Sequence, residues 1–375
     1  MPASKMQQKS HICSGLIFIT TQISVIWQSV THMSEKKIDF WEFKAGQRVL
    51  FSPLDWGLGH ATRCIPLIKH WLDCGCLVTV AADGPHAEII REAFPDIRIL
   101  PWGGYRVRLT SNPRFSTLYL IAQIPRLIKK MYVEQSRLFR LLKQERFDYI
   151  VSDNRPGFFH PKVTSIYITH QLSVRTGYRF LDSMASWMHR KVISRFQICW
   201  VPDWEGDRAL AGELSNPKKR PSSPIHYLGP LSRMETCATQ KKYRFVAIIS
   251  GPEPQRSLLE KILLPWLEKQ SGPNALVRGL PGMGGSDITS SSVDIFNHLP
   301  ANQLALLMQQ AEWMIARSGY STIMDLVKLN QRAILIPTPG QAEQIYLADH
   351  LKNTSMFKVV KQADWNDFNP EVLTQ

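Results

Sequence analysis

The stretch spanning residues 313–348 constrains the fold of this 375-residue chain more than any other part of it. It opens on an apolar run, Trp-Met-Ile-Ala at 313–316, and breaks at Ser318-Gly319. A helical pattern follows through residues 325–329. A second apolar run, Ala-Ile-Leu-Ile at 333–336, ends in Pro337-Thr338-Pro339-Gly340 and leads Gln341, Glu343 and Gln344 into another helix start. Strand, turn, helix, strand, loop, helix is one unit of a parallel α/β sheet. Ser318 and Gly319 suit a tight turn, and Ser321 or Thr322 is expected to cap the helix that follows. Such a helix start presents unpaired backbone N–H groups and the positive end of a dipole, which favours a phosphate. Asp325, about one turn inside, is placed to accept hydrogen bonds from a vicinal diol such as a ribose. Gln341, Glu343 and Gln344 are placed to grip sugar hydroxyls. A Ser-Gly turn before a helix is structural in most proteins, so the weight rests on the combination.

The N-terminal half repeats the alternation. Apolar runs at 48–52, 77–81 and 97–100 are expected strands, with helices between them, which implies a parallel sheet covered on both faces. The first strand opens into Gly57-Leu58-Gly59-His60 at its carboxyl end, where such sheets bind ligands. As a dinucleotide fingerprint this loop is weak. Thr62 stands where a third glycine belongs, and Asp83 matches the ribose acid only loosely. On the residues alone, His60 either faces a ligand or caps the helix, and Arg63 meets either an anionic acceptor or a surface carboxylate. Asp153 and Arg155 end the strand at 149–152, either lining a cleft or stapling their own turn. His170 ends the strand at 165–170 in the corresponding place.

Together these motifs resemble the glycosyltransferases related to the peptidoglycan enzyme that moves N-acetylglucosamine from UDP onto a lipid-linked acceptor. In that family a Ser-Gly turn is followed six residues later by an acid for the ribose, as Gly319 is by Asp325. A strand ended by proline carries a carboxamide seven residues on, as Pro337 leads to Gln344; the second Gln the family often has is Ile345 here. The glycine-rich turn ending in His60 is shared as well. The resemblance implies a fold of two Rossmann-like α/β domains facing a cleft, the GT-B arrangement, with an acceptor-side domain at 46–230, a nucleotide-sugar domain at 231–362 and a tail at 363–375. It implies a UDP-sugar donor, N-acetylglucosamine first, held by Ser318, Gly319, Ser321, Thr322, Asp325, Gln341, Glu343 and Gln344. Arg233, in a Gly-Pro-Leu-Ser-Arg element, is expected near the diphosphate, as are Ser250 and Gly251; His298 and Leu299 are expected at the base. His60 is implied as general base or orienting group, with Asp55 a second candidate base. Gly57, Gly59, Arg63, Asp153, Arg155 and His170 fall on the acceptor side.

A formal net charge of +14 asks for an anionic partner. Nucleic acid is disfavoured, because no zinc finger, recognition-helix pattern or RNP-type aromatic strand is present. Residues 106–146 carry ten basic side chains, among them Arg106, Arg108 and Arg114, against Glu134 and Glu145 only. Apolar residues interleave with them. That pattern suits either adsorption to an anionic membrane leaflet or a solvated basic face. The six cysteines include no pair of CxxC motifs, so neither a zinc site nor a disulfide framework is expected. No Asp-x-Asp motif occurs, and no cofactor or metal is expected. Residues 1–32 read as an extension of doubtful status, weakly imitating a signal or anchor. The expected enzyme is a metal-independent inverting glycosyltransferase acting on a lipid-linked or cell-envelope acceptor, cytoplasmic and peripheral on the inner face of the membrane. A nucleotide-sugar epimerase and a non-catalytic nucleotide-sugar-binding protein are the alternatives.

Overall fold

Apolar runs of four to six residues become strands wherever helices cover both sides of them, which is why these strands lack a polar alternation. The computed structural model describes residues 43–105, 107, 116–280 and 290–373. The 1–32 extension, Arg106, Arg108, Arg114, the loop at 281–285 and the last two residues of the expected tail lie outside the described residues.

The first sheet contains β1 (Arg48–Pro53), β2 (Leu77–Ala82), β3 (Arg98–Pro101), β4 (Tyr149–Asp153), β5 (Thr164–Ile168), β6 (Ile198–Val201) and β7 (Ile225–Tyr227), in the order β3-β2-β1-β4-β5-β6-β7. The second contains β8 (Tyr243–Ile248), β9 (Asn274–Val277), β10 (Val293–Phe296), β11 (Ala311–Ala316), β12 (Ala333–Leu335) and β13 (Phe357–Val359), in the order β10-β9-β8-β11-β12-β13. Every pairing is parallel. Eight helices carry the positions discussed below: α1 (Gly59–Asp73), α2 (Gly84–Ala93), α3 (Ser116–Gln144), α4 (Arg179–Ile193), α5 (Gln255–Glu268), α6 (Ala301–Gln309), α7 (Tyr320–Lys328) and α8 (Ala342–Leu351). Two parallel Rossmann-like sheets are thus present, as expected.

Strand order reverses between β1 and β4 in one sheet and between β8 and β11 in the other. Loops diverge at such points and leave a crevice at the carboxyl edge. The β1–α1 loop with His60 and the end of β4 with Asp153 flank the first crevice. Ser250-Gly251 and Ser318-Gly319 flank the second.

The register also fixes which helices share a face. Leu50 pairs with Ile150, Ser152 with Tyr167, and Tyr167 with Cys199, so with two-residue alternation all of these point to one side. Leu138 of α3 packs with Leu50 and Ile150, while Ile193 of α4 packs with Tyr167, Cys199 and Val201. Helices α3 and α4 therefore cover the same face of the first sheet.

One expected boundary needs correction. Over its described residues the expected 363–375 tail is not separate: two short 3-10 turns carry Trp365 and Leu373 into the core formed by Phe245, Leu263, Trp313 and Ile334. Trp365 is 1% exposed and stacks on Phe368 with ring centroids 5.2 Å apart. A large buried ring contributes on the order of 2–3 kcal/mol through the area it removes from water, and such burial ties the segment to the domain.

Candidate active site

Helix α1 starts without a side-chain cap, and His60 lies in its first turn rather than capping it. Its Nδ1 is 2.8 Å from Asp153 Oδ2 at the end of β4. Asp153 is fully buried, and its other oxygen accepts a short hydrogen bond from the Arg63 guanidinium, one turn along α1. Burial alone would push the Asp153 carboxyl up, but the charges of Arg63 and His60 outweigh it and hold the group at about 2. Asp153 is therefore ionised and accepts a hydrogen bond from His60 Nδ1–H, which leaves Nε2 with its lone pair. Burial and the neighbouring Arg63 keep the His60 pKa below its ordinary value, so the ring is neutral near pH 7. A neutral imidazole oriented by a buried carboxylate is the arrangement of a general base.

Arg63 is 3% exposed and meets neither an acceptor surface nor a surface carboxylate; its place is an interior ion pair. The same arginine donates to Nδ1 of His170, 3.2 Å away. Arg155 also departs from expectation. It is 2% exposed, bound to Glu134 and to the carbonyls of Pro53 and Gly103, and it braces the loops from below instead of facing the cleft. Asp55 accepts the backbone N–H of Tyr105 at 2.8 Å, which makes it a loop tie beside the cleft.

On the second domain, α7 begins at Tyr320, and Gly319 precedes it with no side-chain cap. Ser321 is not the cap. Its hydroxyl donates across the interdomain gap to the carbonyl of Gly59, 3.2 Å away. Gly59 permits that approach, since a Cβ there would lie 2.7 Å from Ser321 Oγ. Helix geometry leaves the first N–H groups of α7 without intrahelical acceptors, at the turn expected to meet a phosphate. Ser318 Oγ donates to the Gln344 carbonyl at 2.8 Å, and Gln344 Oε1 accepts the Thr338 N–H at 2.9 Å. These bonds lock the Pro337–Gly340 loop onto the turn. Gln341 precedes α8 half-buried, and Thr322 is half-buried in the first turn of α7. Ser250 and Gly251 are exposed after β8, and His298 and Leu299 are half-buried after β10. A cleft of about 390 Å³ lined by Asp55, Trp56, Gly57, Pro252 and Glu253 runs between the domains.

Asp325 lies one turn into α7 and accepts from Ser232 Oγ at 2.6 Å. Burial pushes its carboxyl up to about 6, against the pull of Ser232 and Arg233. Arg233 is half-buried, and burial lowers its pKa against the attraction of Asp325 and of Glu92 on α2. It thus stands beside the expected ribose acid.

Four residues of this region escaped the sequence reading. Ser232 supports Asp325. Glu134 anchors Arg155. Tyr320 stacks on His170 with centroids 4.1 Å apart and planes 8° apart, and donates to the Pro202 carbonyl at 2.8 Å. Arg317 is 1% exposed and donates at 3.1 Å to the carbonyl of Gln255; burial lowers its pKa to about 10. Adjacency to the Ser-Gly turn was a signal for Tyr320 and Arg317; Glu134 lay hidden in a basic helix.

Two parallel-sheet domains that bring a carboxylate-held histidine against an open helix start define a GT-B glycosyltransferase fold. Comparison with known proteins agrees. Residues 285–374 match the Glycosyltransferase family 28 C-terminal domain. An uncharacterized glycosyltransferase of Methanosarcina acetivorans is 20% identical over 307 residues, covering 77% of this chain and 79% of that protein. Among solved structures, the spinosyn rhamnosyltransferase SpnG superposes with a TM-score of 0.62 at 14% identity, over 88% of this chain and 91% of that one. The glycotransferase of kitacinnamycin superposes with a TM-score of 0.61 at 14% identity, over 88% and 89%. The chain is thus an enzyme of sugar transfer, a glycosyltransferase.

Proposed function

We propose that this glycosyltransferase moves a sugar, N-acetylglucosamine as the first candidate, from UDP to a hydroxyl of a lipid-linked or envelope acceptor, with inversion. The carrying observation is the 3.2 Å contact between Ser321 and Gly59, which sets the α7 helix start beside the loop that bears His60. His60 Nε2 takes the acceptor hydroxyl proton as that oxygen attacks the anomeric carbon. The bond from that carbon to the diphosphate breaks, and its electron pair leaves with the nucleotide. Charge developing on the diphosphate meets the N–H groups of α7, with Arg233 close by, as preorganised donors. Asp325 takes the ribose hydroxyls.

Protonation of Asp325 removes its charge and turns one accepting site into a donor. Its folded pKa of about 6 places that change within reach of an ordinary titration. Calorimetric titration of the full chain with UDP, UDP-N-acetylglucosamine, GDP-mannose, NAD and thymidine diphosphate, the last being the ligand named for one SpnG structure, tests the reading. The expected result is selective UDP binding that strengthens as pH rises through about 6. Asp325→Ala should weaken it on the order of 100-fold, the worth of two hydrogen bonds to a charge, and flatten the pH dependence. Tight NAD binding, or no nucleotide binding, would sink it.

An acceptor held at the inner face of a membrane fits the surface of the first domain. Helices α3 and α4 share a face, and on α4 Phe180, Met184, Trp187 and Met188 recur at helical spacing with exposures of 80, 45, 56 and 43%. On α3, Ile128, Tyr132 and Val133 are exposed among Arg126, Lys129 and Arg140. Apolar side chains ringed by cations suit an anionic leaflet. Among the described residues no helix is long and apolar enough to cross a membrane. Vesicles containing phosphatidylglycerol should sediment with the protein, and Phe180→Ser with Trp187→Ser should weaken that association at least about tenfold. Unchanged sedimentation would remove the membrane from the proposal.

A further inference from the structure

Five arginines are buried among the described residues. Four of them face a carboxylate: Arg63 pairs with Asp153, Arg155 with Glu134, and both Arg256 and Arg278 with Glu260. Arg317 is the exception. It is 1% exposed, and no carboxylate of the described residues lies within ion-pair distance of it. Its guanidinium meets backbone carbonyls alone, that of Gln255 at 3.1 Å, with longer approaches of 3.4 Å to Ile336 and 3.5 Å to Pro337. Its Nε–H finds no acceptor among the described residues. Acids of the surrounding loops and helices are engaged elsewhere. Glu253 accepts from Arg256 and Ser257, and Asp325 accepts from Ser232. Glu343, expected at the donor sugar, instead meets His170 Nε2 of the opposite domain at 2.8 Å. A charge taken out of water without a counter-ion is costly, and carbonyl dipoles compensate only part of that cost.

The surroundings of this charge indicate its missing partner. Arg317 follows β11 and directly precedes the Ser318-Gly319 turn, Ile336 and Pro337 follow β12, and Gln255 opens α5. The guanidinium therefore lies beneath the carboxyl edge of the second sheet, at the crevice where strand order reverses. Helices α5 and α7 both start at this edge, and neither has a side-chain cap from its flanking residue or an acid in its first turn. Each helix start carries roughly half a positive charge. Glu253 reaches the α5 start through the Ser257 N–H at 3.2 Å, but its side chain is 55% exposed and paired with Arg256. A buried full charge and two helix starts thus converge on one crevice.

We propose that Arg317 is a built-in counter-charge for a diphosphate: the anion of a nucleoside diphosphate seated on the α7 start completes an ion pair that the free protein lacks. So deeply buried a guanidinium acts through its field rather than by contact, and its low-dielectric surroundings lengthen its reach. This rests on the α7 start being the diphosphate site, and it goes further by naming the charge that favours a diphosphate over a neutral nucleoside there. Because the diphosphate gains charge as the sugar departs, the same cation favours that bond breaking. The residue has an unusual signature: it weakens the empty protein and strengthens the loaded one. A structural brace would do the reverse.

The test combines thermal unfolding with calorimetric titration of the full chain, wild type against Arg317→Met and Arg317→Lys. The ligands are UDP, uridine, thymidine diphosphate and inorganic pyrophosphate. Without ligand, Arg317→Met should melt no lower than the wild type, because methionine fills much of the space and leaves no unpaired charge in it. Its affinity for UDP and pyrophosphate should fall on the order of 100-fold while that for uridine changes by less than about threefold, as expected of charges interacting across a few ångströms of protein. Arg317→Lys, which keeps the charge, should recover most of the loss. Unchanged UDP affinity in Arg317→Met would overturn the counter-charge. So would equal losses for UDP and uridine, since a brace distorts the whole site. A free Arg317→Met that melts well below the wild type or fails to fold would overturn it too, because the guanidinium would then be holding the empty protein together. Wild-type binding of thymidine diphosphate or pyrophosphate without UDP would count against the UDP reading alone, and the variants would still decide the counter-charge with those ligands. Binding of no diphosphate by the wild type would overturn it.

Discussion

Asp153→Asn should lower turnover on the order of 10³–10⁴-fold while leaving nucleotide affinity within about threefold, the scale seen when a triad histidine is held in the wrong tautomer. The asparagine amide can donate to His60 Nδ1, which forces the ring proton onto Nε2 and removes the lone pair proposed to take the acceptor proton. His60→Ala should cost turnover to a similar degree by removing the proposed base itself. The two variants separate in stability. Arg63 is buried, and Asp153 is its partner within the first domain. Its charge left uncompensated costs about 3–5 kcal/mol, whereas His60→Ala leaves that pair intact. Thermal unfolding of both variants measures the difference; equal stability would mean that the ion pair is not what holds α1 to β4.

The pH behaviour has a definite sign. The folded pKa of Asp153 is about 2, below the ordinary 3.8. Its stabilisation is therefore present above pH 4 and lost as pH falls towards 2, a slope that Asp153→Asn should lack. The folded His60 pKa is lowered from 6.5, so the unfolded chain binds the extra proton first and stability rises with pH through that region. Turnover should follow the same direction, with an acidic limb whose midpoint lies below 6.5. A basic limb in its place, with activity falling as pH rises through this range, would argue for a protonated His60 acting as an acid.

Apolar runs between breakers announced both sheets, because parallel strands buried on two faces have little choice of residue. The Ser-Gly turn, Asp325 and Gln344 were legible for a related reason: spacing along one strand–turn–helix unit fixes their relative positions. The errors arose where geometry depends on another part of the chain. Ser321 is an ordinary capping residue by type, yet α7 starts a residue earlier and the hydroxyl serves Gly59, 262 residues away in sequence. Arg63 and Arg155 look solvent-bound by type, and no local pattern reveals that Asp153 and Glu134 wait for them inside. The joining of Glu343 to His170, 173 residues apart, likewise exists only once two domains meet. Trp365 read as part of a tail because a short 3-10 segment has no period to recognise.

Glu134→Ala should destabilise the chain by about 3–5 kcal/mol, the usual cost of breaking a buried ion pair from one side. Glu134 faces inward from α3 and accepts from Arg155 Nε at 2.7 Å, from Trp102 Nε1 at 3.2 Å and, by a short bond, from the Tyr105 hydroxyl. Burial and the Glu134 charge push the Tyr105 phenol well above its ordinary value, so it remains a donor at any working pH. Alanine would leave the guanidinium with the carbonyls of Pro53 and Gly103 alone, and the indole and phenol without their carboxylate. At about 2–4 °C per kcal/mol for a domain of this size, melting should fall by roughly 10 °C. Glu134→Gln keeps an acceptor but no charge and should lose about half as much. Replacing both partners, Glu134→Leu with Arg155→Met, removes the stranded charge and should recover most of the loss, since apolar substitutes for buried pairs are often neutral. If the double variant is no more stable than Glu134→Ala, the network is not the source of the effect. Because Arg155 holds the Pro53 carbonyl at the root of the loop carrying His60, Glu134→Ala should also show turnover that fails several degrees below its melting point. Coincident loss of activity and structure would mean that the loop is held by other contacts.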